Sequence, residues 1–297
     1  MSKRTLAFLA AFGATTIYAL NHTIAKGVMP DYVKPSGFIL MRVVGVAILF
    51  WSISFLGPKE KIEKRDWGRM FLAAILGMVV NMLAYFKGLE LSTPINSSVL
   101  MTISPIIVII LSAIFLKERI TLNKGLGIAL GFIGAVTLIL FGAKLRQDAP
   151  NIALGNIFYI INATAYGAYL IVAKKLLVKY HPFTLMRWLF LIAVLINLPI
   201  GLPELLEIQW ATMPLWAYGT IVFVIVCTTF LTYLFNIFAM TQLKASTIGA
   251  FIYLQPLIGI LFAVITGKDV LTLVKIIATG LLLLGVYLAS KKVKVKS

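Results

Sequence analysis

The chain of 297 residues is 61% hydrophobic and 12% charged, and its mean hydropathy is +0.99. That composition excludes a soluble globular domain and makes lipid the surrounding solvent. The net charge of +17 does not mark a nucleic-acid partner, because the basic residues sit beside apolar runs, where positive-inside loops put them, and not in one groove-sized patch.

Apolar runs of spanning length, bounded by charges, Pro or Gly, fall in chain order at 5–26, 36–56, 69–90, 95–116, 124–142, 153–174, 183–202, 213–240, 246–266 and 271–290. Lys3-Arg4 followed by Leu6 to Leu20 imitates a signal peptide, but no small-residue cleavage site closes that run, and it reads as the first membrane helix. Backbone polar groups left unpaired in hydrocarbon are costly, and the runs lack the alternation of barrel strands, so each is expected to be a helix. The expected fold class is an all-α membrane protein of ten transmembrane helices.

With the N-terminus in the cytoplasm, Lys3, Arg4, Lys59, Lys61, Lys64, Arg65, Arg69, Lys117, Arg119, Lys124, Lys174, Lys175, Lys179, Lys244 and the lysines of 291–296 fall on the inner side. The outer side keeps Lys26, Lys34, Lys87, Lys144, Arg146, Lys268 and Lys275, and the loop holding Glu204 and Glu207 has no Lys or Arg. This bias places both termini in the cytoplasm and the protein in the cell (inner) membrane.

The chain repeats internally. A shift of 151 positions (256 − 105) pairs Pro105 with Pro256, sets Lys117-Glu118-Arg119-Ile120-Thr121-Leu122 against Lys268-Asp269-Val270-Leu271-Thr272-Leu273, and brings Gly134 to Gly285. Leu40-Met41-Arg42 matches Leu185-Met186-Arg187, and Tyr18 to Lys26 matches Tyr166 to Lys174. The expected units are 1–147 and 148–297. Five spans per unit is odd, so the second copy enters the membrane from the opposite side, an inverted-topology repeat of the secondary-transporter kind.

Ile17-Tyr18-Ala19-Leu20-Asn21-His22-Thr23-Ile24-Ala25-Lys26, Ser104-Pro105 followed by Leu116-Lys117-Glu118-Arg119-Ile120, and the glycine spacing from Gly127 to Gly134 resemble the motifs of the EamA-type family of the drug/metabolite transporter superfamily. Tyr18 and Ala19 stand where that family has Trp-Gly, and Gly267-Lys268-Asp269 is a weakened copy of its leucine-x-glutamate signal. The resemblance implies a central cavity lined mainly by helices 1, 3, 4, 6, 8 and 9, and transport of amino acids, other metabolites or drugs. It leads to Asn21, His22, Asn81, Tyr85, Ser98, Thr102, Asn162, Tyr166, Tyr169, Thr232, Tyr233, Asn236, Tyr253 and Gln255 as candidate substrate-binding residues, with Asn96 among the same polar set. Interhelical hydrogen bonding is the competing use for each of them.

Ionisable residues inside spans are costly and are candidates for coupling or gating. Arg42 and Arg187 suit an anion contact, snorkelling or capping; Lys87 and Glu90, three apart, suit a local ion pair or, for Glu90, proton coupling. Pro105 and Pro256 each remove a donor inside a span and predict a kink, moving or fixed. Gly127, Gly131 and Gly134 share a face and predict close helix packing. The lone Cys227 and the well-separated His22 and His181 give no catalytic or metal motif, and no P-loop appears, so neither a cofactor nor an enzymatic activity is expected. The expected partners are the lipid bilayer and a small-molecule substrate, and a homodimer is compatible with the sequence. The expected function is a secondary transporter, working as an exporter, of small metabolites such as amino acids; the alternatives are a membrane-embedded transferase or a non-transport scaffold.

Overall fold

The computed structural model describes residues 2–117, 120–141, 148–243, 251 and 254–290; Glu118, Arg119, Lys144, Arg146, Lys244 and Tyr253 lie outside the described residues. Every element in them is helical. In chain order these are α1 (Lys3–Lys26), α2 (Pro35–Ser52), α3 (Lys64–Leu91), α4 (Pro94–Phe115), α5 (Leu122–Phe141), α6 (Ile152–Leu177), α7 (Pro182–Leu206), α8 (Leu215–Asn236, continuing as helix to Gln242), α9 (Leu254–Ile265) and α10 (Leu273–Ser290). Among the described residues, the seven from α2 to α8 are long and apolar enough to cross a membrane by length and composition.

The helices begin where local chemistry favours it. Prolines 35, 94 and 182 occupy the first turns of α2, α4 and α7, where a missing N–H costs nothing. Thr93 and Asn151 accept from the N–H groups of Asn96 and Leu154 to cap α4 and α6. The end of α7 differs from the sequence expectation: it runs on to Leu206 through Pro199 and Pro203. Pro199 leaves the Leu195 carbonyl without its helical donor, and two residues before it Asn197 Nδ2 makes an added bond to the Ala193 carbonyl at 2.8 Å.

Three helices are irregular in the middle. In α4 a 3-10 turn, Met101–Ile103, precedes Pro105, whose absent N–H cannot reach the Met101 carbonyl. In α3 and α8 a π-helical stretch interrupts the α-helix, Ile75–Val80 in one and Phe223–Leu231 in the other. Moved by the same 151 positions that align the prolines, 75–80 becomes 226–231, inside the second stretch.

The most extensive packings are α1 on α8, α2 on α7, α3 on α6, α4 on α6 and α5 on α10. The last is a backbone-to-backbone approach: a Cβ placed on Gly127 would lie 2.5 Å from the Gly285 carbonyl oxygen, and one on Gly285 2.7 Å from that of Gly127. Glycine at both positions is what lets the helices come this near. Large apolar side chains such as Phe115, Phe132, Leu195 and Ile265 remain on the outer surface, as lipid contact requires, while Phe38, Phe50, Phe86, Tyr159 and Phe190 fill the interior.

Candidate functional site

A polar cluster lies where α1, α3, α4, α8 and α9 meet. Asn21 and His22, consecutive on α1, are both almost fully buried. Asn21 Nδ2 donates to Tyr85 Oη at 2.9 Å, and Asn21 Oδ1 accepts from Thr228 Oγ1 at 3.2 Å. His22 Nδ1 sits 2.8 Å from Ser97 Oγ and 3.1 Å from Tyr85 Oη, and its Nε2 sits 3.4 Å from Gln255 Nε2. Tyr18, one turn before His22, brings Oη to 3.0 Å from Thr232 Oγ1. Interhelical bonds of this kind contribute about 0.6 to 2 kcal/mol each in a membrane protein, so the cluster carries both stability and a set of oriented donors and acceptors.

Arg42, on α2, adjoins this cluster. Its Nε donates to Thr229 Oγ1 at 2.6 Å, and its guanidinium carbon lies 5.6 Å from the centre of the Phe86 ring. The two environments meet on consecutive residues of two helices: Tyr85 and Thr228 face Asn21, while Phe86 and Thr229 face Arg42. The π-helical stretch of α8 makes this possible. Its wider turn buries Thr228, Thr229 and Thr232 together, and Thr229 Oγ1 donates to the Val224 carbonyl five residues back, at 3.0 Å.

The other expected residues have different surroundings. Asn81 and Asn162 exchange bonds across α3 and α6, each amide nitrogen donating to the other's backbone carbonyl. Asn96 donates to Asn156 Oδ1, which also accepts from Ser92, while Asn156 Nδ2 donates to the Leu138 carbonyl; this braces α4, α5 and α6. Ser98 is fully buried against α9 at Gly259, where a Cβ would lie 2.1 Å from Ser98 Oγ, and Thr102 donates to the Val99 carbonyl of its own helix. Tyr169 is buried, with Tyr166 beside it and partly exposed at ring centroids 6.0 Å apart; Tyr233 stands edge-on to Phe50 and Phe190. Asn236 is half-buried one turn beyond Thr232. Pro256 is buried at the start of α9.

Each end of the bundle has its own ion pairs. At the end with loops 27–34 and 207–214, Lys34 pairs with Glu207, which holds the exposed ammonium above the ordinary lysine range, and Glu204 accepts from the Gly37 N–H at 2.9 Å. Lys87 pairs with Glu90 at 2.5 Å, and Lys26 Nζ donates to the Leu89 and Glu90 carbonyls, capping the negative end of α3. Asp269 reaches from the α9–α10 connection to accept from the Ile95 N–H at 3.0 Å and pairs with Lys275 at 2.7 Å. A surface cavity of about 300 Å³ opens at this end, among Pro30, Lys34, Glu204, Glu207 and Met213.

At the opposite end, Lys179 lies 2.6 Å from both Glu63 and Asp66, and Tyr180 Oη donates to Asp66 at 2.7 Å. Hydrogen bonding to Lys179 holds the Glu63 carboxyl below the usual carboxylate range, and bonds to Asp66 and Glu63 push Lys179 up. Arg187 lies over the Trp51 ring here, at 5.4 Å, and weakly contacts the Glu60 carbonyl. Arg42 and Arg187, matched in the repeat, therefore sit in different settings, one interior and one at the rim.

Sequence reasoning passed over Ser97, Thr228, Thr229 and Asn156. The signal for the first three was present: Asn96-Ser97-Ser98 and Thr228-Thr229 are polar groups inside apolar spans.

The family model for the EamA-like transporter family matches twice, at residues 5–140 and 153–291. An uncharacterized transporter of Archaeoglobus fulgidus is 28% identical over 97% of this chain and 98% of its own length, and a riboflavin transporter of Vibrio cholerae is 22% identical over 63% of this chain and 61% of its own. A solved crystal structure, 17% identical, superposes with a TM-score of 0.63 over 96% of each chain and shares the fold. The chain is a multi-pass membrane transporter and belongs to the EamA-like transporter family.

Proposed function

We propose that the protein is a secondary transporter of two five-helix repeats with inverted topology, 1–147 and 148–297, whose ten helices cross the cell (inner) membrane with both termini in the cytoplasm. It exports small metabolites, amino acids or related compounds, by alternating access. The observation that carries this reading is the enclosed cluster at the junction of the halves, where Asn21, His22, Tyr85 and Ser97 come from the first and Thr228 and Gln255 from the second. A site built from both halves changes access when they rock.

Two further observations support it. Exchanging each helix with the one five places later carries the main packings onto packings that are also present: α2–α7 and α5–α10 return to themselves, α1–α8 becomes α6–α3 and α4–α6 becomes α9–α1. The ties at each end also cross between the halves, Lys34 to Glu207 and Ile95 to Asp269 at one end, Glu63 and Asp66 to Lys179 at the other. Opening toward either side then means releasing one set while the other holds.

Purified protein in proteoliposomes tests this with a labelled panel of amino acids, organic acids and nucleobase-like compounds, with and without a proton gradient. Saturable uptake of at least one compound, stimulated by the same compound on the far side, is expected. Flux no greater than in protein-free vesicles across the panel would contradict it.

A further inference from the structure

We infer that Arg42, positioned by Thr229, is a subsite for a single carboxylate group; this rests on the transporter reading for its role in the cycle but not for its chemistry. Arg42 is about nine-tenths buried. Among the described residues its contacts are one hydrogen bond to Thr229 and the face of Phe86, and the titratable groups close enough to feel its charge are the neutral phenols of Tyr18, Tyr85 and Tyr233. Among the described residues, no carboxylate lies within ion-pair range of Arg42. Burying an uncompensated cation in a membrane protein is costly, and one hydroxyl and one ring face do not offset it.

The geometry of that one bond decides what could complete the site. Thr229 Oγ1 gives its proton to the Val224 carbonyl, so it faces Arg42 as an acceptor and fixes Nε. What remains is the edge formed by the two terminal nitrogens, a planar fork that matches a carboxylate with two parallel bonds. Charge selects among anions: one carboxylate neutralises one guanidinium, whereas a phosphate dianion leaves net negative charge in the hydrocarbon interior. The Asn21, His22 and Tyr85 cluster adjoins Arg42 through the consecutive pairs Tyr85-Phe86 and Thr228-Thr229, and would meet the amine or ring of the same ligand.

The test is equilibrium binding to the detergent-purified full chain. L-phenylalanine and hydrocinnamate carry the carboxylate, and phenethylamine lacks it. The carboxylate probes bind and phenethylamine does not compete. Arg42→Gln weakens the carboxylate probes about 10- to 100-fold, the range for a charge-assisted bond. Thr229→Val weakens them about 3- to 10-fold, and Thr229→Ser, which keeps the hydroxyl, restores them to within about 2-fold. If Arg42→Gln fails to fold, the Thr229→Val and Thr229→Ser pair decides. Phenethylamine binding as well as the carboxylates, no carboxylate binding to the wild type, or equal binding by wild type and variants would overturn the subsite. Binding that depends on Arg42 with no flux in proteoliposomes would remove the transport reading and leave the subsite; flux that is indifferent to Arg42→Gln would do the reverse.

Discussion

Asn81 and Asn162 each donate a side-chain amide to the other's backbone carbonyl, at 3.1 and 2.7 Å, pinning α3 just after its π-helical stretch to the middle of α6. Both bonds run from side chain to backbone, so removing one leaves the other. Asn81→Leu and Asn162→Leu are expected to lower stability by about 1 kcal/mol each. Thermal melts in detergent should show the two losses adding in the double variant to within about 0.5 kcal/mol. A double variant no less stable than either single one would show that the pair acts as one unit.

Asp269 and Lys275 are both nine-tenths buried, and the Asp269 carboxylate also accepts the Ile95 N–H at the start of α4. Breaking such a pair from one side strands a charge, with a cost of about 3 to 5 kcal/mol, while removing both partners does not. Asp269→Asn should therefore melt well below the Asp269→Leu/Lys275→Met double variant. An Asp269→Asn protein as stable as wild type would contradict the latch.

The Glu63–Lys179 link sets a pH window. Glu63 is held low, so its contribution is present above its unfolded value near 4.3 and is lost as pH falls through the lower folded one. Lys179 is held high, so its contribution is complete below its unfolded value near 10.4 and is lost as pH rises through the raised one. The difference in melting temperature between wild type and Lys179→Met should be flat between about pH 5 and pH 10 and shrink outside it. A difference that grows in acid would reverse the sign.

Hydropathy reads the helices because lipid demands long apolar runs, and the ten runs each coincide with helix in the described residues. Asn21, His22, Tyr85 and Arg42 stood out because polar groups within such runs are costly. What stayed hidden depends on three-dimensional partners. Lys26 reads as a boundary charge but folds back on the carbonyls of α3. Asn81 and Asn162 read like Asn21 yet bond to backbone. The π-helical stretches have no compositional mark, and without them the register that turns Thr228 to Asn21 and Thr229 to Arg42 could not be anticipated.

The proposed topology rests on the basic-loop bias and is checked by accessibility. In a chain whose Cys227 is replaced by Ala, Lys61→Cys and Glu207→Cys should react with a membrane-impermeant maleimide from opposite sides of intact cells and inverted vesicles. Labelling of both from one side would refute the arrangement.

Alternating access between the two tied ends is tested most directly by fixing each end in turn. In the same Cys227→Ala background, Lys34→Cys with Glu207→Cys holds one end and Glu63→Cys with Lys179→Cys the other, each bridged by a short, reducible bis-thiol crosslinker in proteoliposomes. Either bridge should stop flux of the transported compound, and reduction should restore it. Flux that continues unchanged with one end bridged would contradict alternating access.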